Sequence, residues 1–198
     1  MAIEYKTFYP KSRKAWRQWL EKNHSKSPGV WMVSYKKETG KPGVHYADAV
    51  EEALCFGWID SIKNKLDEEG AIQKFSPRKP KSTWSELNKT RIKKLIEDGQ
   101  MTAAGLSKIE EGKKNGSWNS LDVSNSHTDA GTLPADLEKA FSKNKKALEN
   151  FKAFAPSYRR RFLFWIDSAK QKETRAARIK QTVIMSTANR KPGPKGFK

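Results

Sequence analysis

The first half of the chain alternates between helical and strand-like patterns of apolar residues. Ser12 can cap a helix over 12–23, where the apolar residues recur at helical spacing. Residues 30–35 alternate as a strand does, and residues 46–56 have the apolar side of a second helix. The acidic residues of this second helix fall opposite its apolar side: Asp48, Glu51 and Glu52.

The following stretch predicts a hairpin and a third helix. Residues 58–66 and 71–75 have strand-like composition on either side of an acidic turn that ends in glycine. Thr83 and Glu86 have the spacing of a capping box, and Gly99 is placed where a helix ends. These elements predict an α+β fold with a small antiparallel sheet packed against helices.

Beyond residue 115 the pattern is helical with one polar interruption. We predict an α+β domain over 1–115, a Ser/Asn/Asp/Gly linker over 116–133, a basic helical segment over 134–189 and a disordered tail over 190–198. Within the basic segment three helices fit: 134–153, with a possible break near Ser142, 156–171 and 173–189.

The third helix carries polar residues on its apolar side. At 100° per residue, Asn88 and Arg91 fall beside Trp84 and Leu95. A buried Asn or Arg is costly unless its hydrogen bonds are met, so this face must meet polar partners or line a pocket. The candidate ligand-binding residues, called the polar cluster below, are Asp60, Arg78, Ser82, Trp84, Ser85, Asn88 and Arg91.

Two interpretations of the polar cluster remain open from the sequence. One is a structural salt bridge in which Asp60 meets Arg78 or Arg91 and pins the hairpin to the helix. The other is a ligand site. We also predict that Asn88 hydrogen-bonds the turn at 82–85 or a ligand. Acid–base catalysis by Asp60 with a nearby serine is disfavoured because no histidine is placed to complete a triad.

The positive charge of the chain is concentrated at its C-terminal end. The net charge is +18, and residues 139–198 hold 17 lysines and arginines against three acids. Such a segment can attract nucleic acid, an anionic membrane surface or an acidic partner. The candidate anion-binding residues are Arg159, Arg160, Arg161, Arg175 and Arg178.

Several other chemistries find no support in the sequence. The histidines at 24, 45 and 127 are not at metal-ligand spacing, and we expect no metal site and no cofactor. Cys55 has acidic neighbours at a helix C-terminus, which disfavours a reactive thiolate. A single cysteine, no apolar run of membrane-span length and no signal-like N-terminus predict a cytoplasmic protein with no transmembrane segment.

Several segments in one order resemble the YdeI/OmpD-associated family, also labelled bacteriocin-protection proteins. The resemblance extends from about Phe8 to Met185. Its segments include SRKAWRQWLEKNH, VWMVSYKKETGK, the stretch ending in CFGWIDS, FSPR, STWSELN, GQMTAAGL and WIDSAKQKETRAARI. It implies an α+β N-terminal domain, a helical C-terminal segment and a part in tolerance of envelope stress and cationic antimicrobial peptides. It implies no catalytic residues.

Three functions remain open at this stage. The first is a non-enzymatic cytoplasmic binding protein in stress tolerance, with a small molecule or an acidic protein as partner. The second is a nucleic-acid-binding module that uses the basic C-terminal helices, and the third is a small-molecule enzyme at the polar cluster. Direct capture of a cationic peptide is disfavoured because both partners are positively charged.

Overall fold

The computed structural model describes residues 5–193, 196 and 197. The chain divides into two compact units, Met1–Asn119 and Ser120–Lys198. The first unit contains all four named strands of the described residues: β1 Thr7–Phe8, β2 Val30–Tyr35, β3 Trp58–Lys65 and β4 Gly70–Pro77. Its helices are α1 Arg13–Asn23, α2 Tyr46–Cys55, α3 Glu86–Glu97 and α4 Ala103–Lys114. The second unit is helical: α5 Asp122–Ala130, α6 Ala135–Ser142, α7 Lys145–Ala153, α8 Pro156–Asp167 and α9 Lys172–Thr187.

The four strands form one sheet in the order β1-β2-β4-β3. β3 and β4 are the predicted hairpin, and β4 also pairs antiparallel with β2. The two-residue β1 pairs parallel with β2, so the sheet is mixed where a purely antiparallel one was expected. The α+β fold class is confirmed.

The core of the first unit lies between this sheet and its helices. Trp16 of α1 is fully buried, and its indole N–H donates to the carbonyl of Ala49 in α2 at 3.0 Å. Trp58 and Phe75 cover the same core from the sheet, and Ile92 of α3 reaches it from the other side. Large aromatic side chains bury much area each, which gives a low-hydrophobicity chain a continuous core.

The second unit has its own core of aromatic and branched side chains. Phe141, Phe151 and Phe162 come from α6, α7 and α8, and Met185 of α9 joins them. Asn144 caps α7 by accepting from the backbone N–H of Ala147, so α6 and α7 are separate helices with the break near Ser142. Each unit therefore buries its apolar side chains in a core of its own.

The structure corrects three details of the sequence prediction. A helix, α5, lies inside the predicted linker over 116–133, because it buries Ser124 and Thr128 and packs against α8. The cap of α3 is Ser85, two residues after Thr83, where the capping box was predicted. In the predicted disordered tail, Phe197 stacks on Trp165; residues 194, 195 and 198 lie outside the described residues.

Candidate functional site

Arg78 lies at the base of the polar cluster, directly after β4. Its backbone N–H donates to the carbonyl of Gly57 at 3.0 Å, and only 3% of the residue is exposed. The guanidinium carbon stands 3.5 Å from the centroid of the Trp84 ring. Nη2 donates to the carbonyl of Thr83 at 2.6 Å. A planar cation is thus held flat against an aromatic face inside the protein.

The remaining donors of Arg78 are unpaired. Its Nε and Nη1 are buried and have no hydrogen-bond partner among the described residues. Burial lowers the pKa of Arg78 to about 10, against the opposing effect of the Asp60 charge. The side chain is therefore still a cation at neutral pH, and it keeps buried donors that no group in the described part of the chain satisfies.

Asp60 on β3 pairs with a tyrosine. The hydroxyl of Tyr46, at the start of α2, donates to Asp60 Oδ2 at 2.7 Å. Burial, the hydrogen bond to Asp60 and the Asp60 charge together raise the pKa of Tyr46 to about 12. Asp60 forms no ion pair with Arg78 or Arg91 among the described contacts, so the predicted structural salt bridge is wrong. The nearby phenol supplies the hydrogen bond that an arginine was expected to give.

The polar residues of α3 mostly satisfy one another. Arg91 Nη1 donates to Asn88 Oδ1 at 3.1 Å, and Asn88 is 9% exposed. The backbone N–H of Asn88 donates to the Ser85 hydroxyl at 3.3 Å, so the predicted contact with the turn is made by the main chain. Ser82 is half-buried at the start of this turn, where its backbone N–H donates to the carbonyl of Lys79. The phase of Asn88 and Arg91 and the contact of Asn88 with the turn were predicted correctly, whereas the hydrogen bond from Arg91 to Asn88 was not predicted.

The exposed fraction of the side chains falls from the outer edge of the polar cluster to its base. Tyr46 is 54% exposed, Asp60 is half-buried, and Arg78 is almost fully covered. An acceptor at the outside and unpaired cationic donors at the base are complementary to a small molecule that carries both a donor and an anionic group.

The five candidate arginines of the second unit are largely occupied within the chain. Arg160 pairs with Asp129 at 2.7 Å, and Arg175 pairs with Asp136 at 2.5 Å and with Asp167 at 3.0 Å. The partners of the next two are carbonyls and a hydroxyl: Pro192 and Gly193 for Arg161, and Trp165 and Ser168 for Arg178. Arg159 is half-buried, and its Nε has no partner among the described residues. Guanidiniums already held by internal acceptors are poorly placed to bind nucleic acid.

A buried charge network between α1 and α2 was missed. Glu52 is 3% exposed and accepts from Arg13 Nε at 2.6 Å and from Arg17 Nη1 at 2.8 Å. Burial lowers the pKa of Arg13 and of Arg17, but the hydrogen bond and charge of Glu52 outweigh it, so both pKa values are raised. The sequence carried a signal for this network, because two arginines four residues apart on α1 accompany a helix rich in acidic residues. The assignment of Glu52 to an exposed face was wrong.

The single cysteine lies in the core of the first unit. Cys55 is fully buried, and burial together with the Glu52 charge raises the pKa of its thiol to about 11. Its helical phase had placed it among exposed acids, so its burial was not predicted. No helix of the described residues is both long and apolar enough to cross a bilayer. Among those residues, no three potential His, Cys, Asp or Glu ligands come together.

The fold and site define a class: a two-unit protein with an α+β unit that holds a buried, incompletely paired arginine, and a second, basic helical unit. Residues 8–108 match the family model described as Domain of unknown function (DUF8412). Residues 130–189 match the model described as Bacteriocin-protection, YdeI or OmpD-Associated. The chain belongs to the first family, whose model covers just over half of it, and the YdeI/OmpD-associated resemblance is confirmed in the second unit. No curated protein and no solved structure is significantly similar.

Proposed function

We propose that this chain is a non-enzymatic binding protein of the cytoplasm that takes part in tolerance of envelope stress or antimicrobial peptides. The support for the stress role is the family description that matches residues 130–189. The support for a binding role is the polar cluster, where the structure brings cationic donors and a carboxylate acceptor together in the first unit.

The observation that carries the proposal is the state of Arg78. A buried donor without an acceptor costs about 1–3 kcal/mol, and Arg78 has two such nitrogens. A structural arginine would be paired with Asp60, whereas Asp60 accepts from Tyr46 instead. An anionic group that reached Arg78 would satisfy the unpaired donors, and the free energy of that pairing would favour the bound state.

The ligand class follows from the groups that surround the site. A carboxylate or phosphate suits the planar guanidinium, since two parallel hydrogen bonds can form. Asp60 and Asn88 favour a second, donor-bearing part of the molecule, so a small zwitterion or a hydroxylated anion fits better than a simple dianion. Because Arg78 is covered, the segment that holds Thr83 and Trp84 against it must move for a ligand to enter.

Thermal unfolding in the presence of candidate anions tests the proposal. We would use inorganic phosphate, citrate and glutamate as probes and compare wild type, Arg78→Met and the exposed neighbour Lys79→Met. A probe at 100 times its Kd stabilises by about 2.7 kcal/mol, which is several degrees for a chain of this size. We expect the shift in wild type and Lys79→Met and no shift in Arg78→Met. An equal shift in all three proteins would place the binding elsewhere and contradict the proposed site.

The stress role is tested in the host. Loss of the gene should lower survival when cells are challenged with a cationic antimicrobial peptide, and wild-type complementation should restore it. Complementation with Arg78→Met should fail if the polar cluster supplies the function. Unchanged survival of the deletion strain under peptide, bacteriocin and envelope-damaging conditions would refute the stress role.

A further inference from the structure

The second unit has a groove with an apolar floor and a basic rim. It lies between α6 and α9 and has a volume of about 590 Å³. Its floor is formed by small and branched apolar side chains: Ala140, Ala176, Ile179, Val183 and Ile184. Its rim is basic: Lys139, Lys143, Lys172 and Lys180. We refer to it as the lysine-rimmed groove.

The lysines of this rim are uncommitted. Among the described residues, none of the four rim lysines forms an ion pair, and all four are exposed. The carboxylate at the rim, Asp136, is already bound by Arg175, which holds the pKa of Asp136 below its usual value. The groove therefore presents unneutralised positive charge around an apolar floor. Ile184 on that floor is 46% exposed, so part of the apolar floor faces solvent.

The groove has the shape that a helix requires. On α9 its lining residues recur every three or four positions from Lys172 to Ile184, which is one face of the helix. Twelve steps of 1.5 Å make this face about 18 Å long, which matches about three turns of a docked helix. On α6 the lining runs from Asp136 to Lys143 with the same spacing and forms the opposite wall.

We propose that the lysine-rimmed groove binds an amphipathic helix of a partner protein that carries acidic residues along both edges of its apolar face. Helix-in-groove recognition uses apolar anchors at helical spacing, and charge on the rim sets the partner's sequence. Lys139 and Lys143 lie on one wall and Lys172 and Lys180 on the other. A single-headed anionic lipid needs its cations at one end of the groove, whereas an acidic helix needs them along both sides. A second copy of this basic chain would bring like charges together.

The test uses the full chain and a fluorescent model peptide. The peptide has 14 residues, with Leu at positions i, i+3, i+4 and i+7 and Glu on both flanks; a second peptide has the same composition in scrambled order. Fluorescence anisotropy at low salt should show binding of the ordered peptide, and the scrambled one should bind at least about tenfold more weakly.

Matched variants locate the site. Charge reversal on both walls, Lys139→Glu with Lys180→Glu, should weaken binding at least about tenfold, because two rim cations become repulsive. The control is the equally exposed pair Lys145→Glu with Lys146→Glu on α7, which should retain most of the affinity. Ile184→Asn should also weaken binding without unfolding the chain, since Ile184 is already half exposed.

Three outcomes would overturn the proposal. Equal weakening by both charge-reversed pairs would show a general attraction to the basic chain. Equal affinity for ordered and scrambled peptides would show that binding does not depend on the helical spacing of the leucines. Binding to vesicles with anionic lipid that is lost on reversal of Lys139 and Lys180, with no binding of the ordered peptide, would assign the groove to a membrane surface.

Discussion

Two buried charged side chains in the first unit differ in how completely they are paired. Glu52 accepts from two arginines, so its charge is compensated on both oxygens. Arg78 has one carbonyl, an aromatic face and two unpaired nitrogens. Burying a charge costs several kcal/mol unless it is paired and hydrogen-bonded. The first arrangement contributes to structure, and the second leaves two buried donors for the ligand that we propose.

Replacing Asp60 should change the pKa of the Tyr46 phenol, because the two side chains share a hydrogen bond. With a pKa raised to about 12, the neutral phenol stabilises the folded state at neutral pH, and this contribution is lost as pH rises from the ordinary value of 10.0 toward 12. Asp60→Asn removes the carboxylate charge, so the pKa of Tyr46 should fall toward 10.0. A titration of the labelled tyrosine ring carbons by NMR, with Tyr158 of the second unit as internal comparison, measures it. An unchanged Tyr46 midpoint in Asp60→Asn would show that the hydrogen bond does not form in solution.

The positions of the cluster residues were predictable from the sequence, but the partner of Asp60 was not. Helical phase placed Asn88 and Arg91 inward correctly, because a helix has a fixed period. The partner of Asp60 depends on where α2 crosses β3, and that crossing is set by packing over the whole unit. Tyr46 was therefore assigned only to an apolar helix side. The same limit explains why Glu52 was assigned to solvent.

At the scale of elements, α4 approaches the end of α2 very closely. A Cβ at Gly105 would lie 2.3 Å from the carbonyl oxygen of Cys55, and that carbonyl also accepts from the N–H and hydroxyl of Thr102. The absence of a side chain there lets two helix termini share one hydrogen-bonded contact.

Gly105→Ala should therefore destabilise the chain. Alanine gains about 1 kcal/mol of helix propensity over glycine, but overpacking against a backbone carbonyl costs about 1–3 kcal/mol. Ser107→Ala, exposed on the same helix, is the control and should be neutral or slightly stabilising. Denaturant unfolding measures both, and a stabilised Gly105→Ala would show that α4 and α2 are not so close.

Glu52 joins α1 to α2, and its removal should be costly. Glu52→Gln removes a buried carboxylate from Arg13 and Arg17. Both arginines are partly exposed and keep other acidic neighbours, so we expect a loss of about 1–3 kcal/mol. Glu51→Gln is the matched control, because Glu51 is more exposed and contacts Arg13 at 3.1 Å; an exposed pair contributes about 1 kcal/mol or less. Equal losses for both variants in denaturant unfolding would contradict the structural role given to Glu52.

Cap residues predicted some element boundaries: Ser12 caps α1 as expected, whereas the capping box at Thr83 did not begin α3. Ser12 and Thr102 cap their helices through side-chain hydrogen bonds to Ala15 and Gly105. α5 was missed because its composition, rich in Ser, Asn, Asp and Thr, is typical of loops. Its packing against α8 outweighs that local preference.

At the scale of the whole molecule, the two units have separate cores and meet in sequence at 119 and 120. Residues 113–116 and 119 are exposed, whereas Ser117 is buried. Limited proteolysis with a broad-specificity protease should cut first at 113–121 or in the tail after 190. Because α5 is helical and packed, 122–130 should resist cleavage. First cuts within 57–98 would contradict the assignment of that stretch to a packed unit.

We infer that two donors of Arg78 are kept unpaired so that they can bind a ligand. The unfolding free energy of ligand-free Arg78→Met is the measurement that tests this inference. Methionine fills a similar space and packs well on Trp84, and replacing an uncompensated buried charge by an apolar side chain is often neutral or stabilising. We predict a free energy of unfolding within about 1 kcal/mol of wild type, or above it, together with loss of the anion-induced thermal shift. A loss of about 3–5 kcal/mol in the free energy of unfolding would show that Arg78 holds a structural pair, and it would contradict a binding role for this arginine.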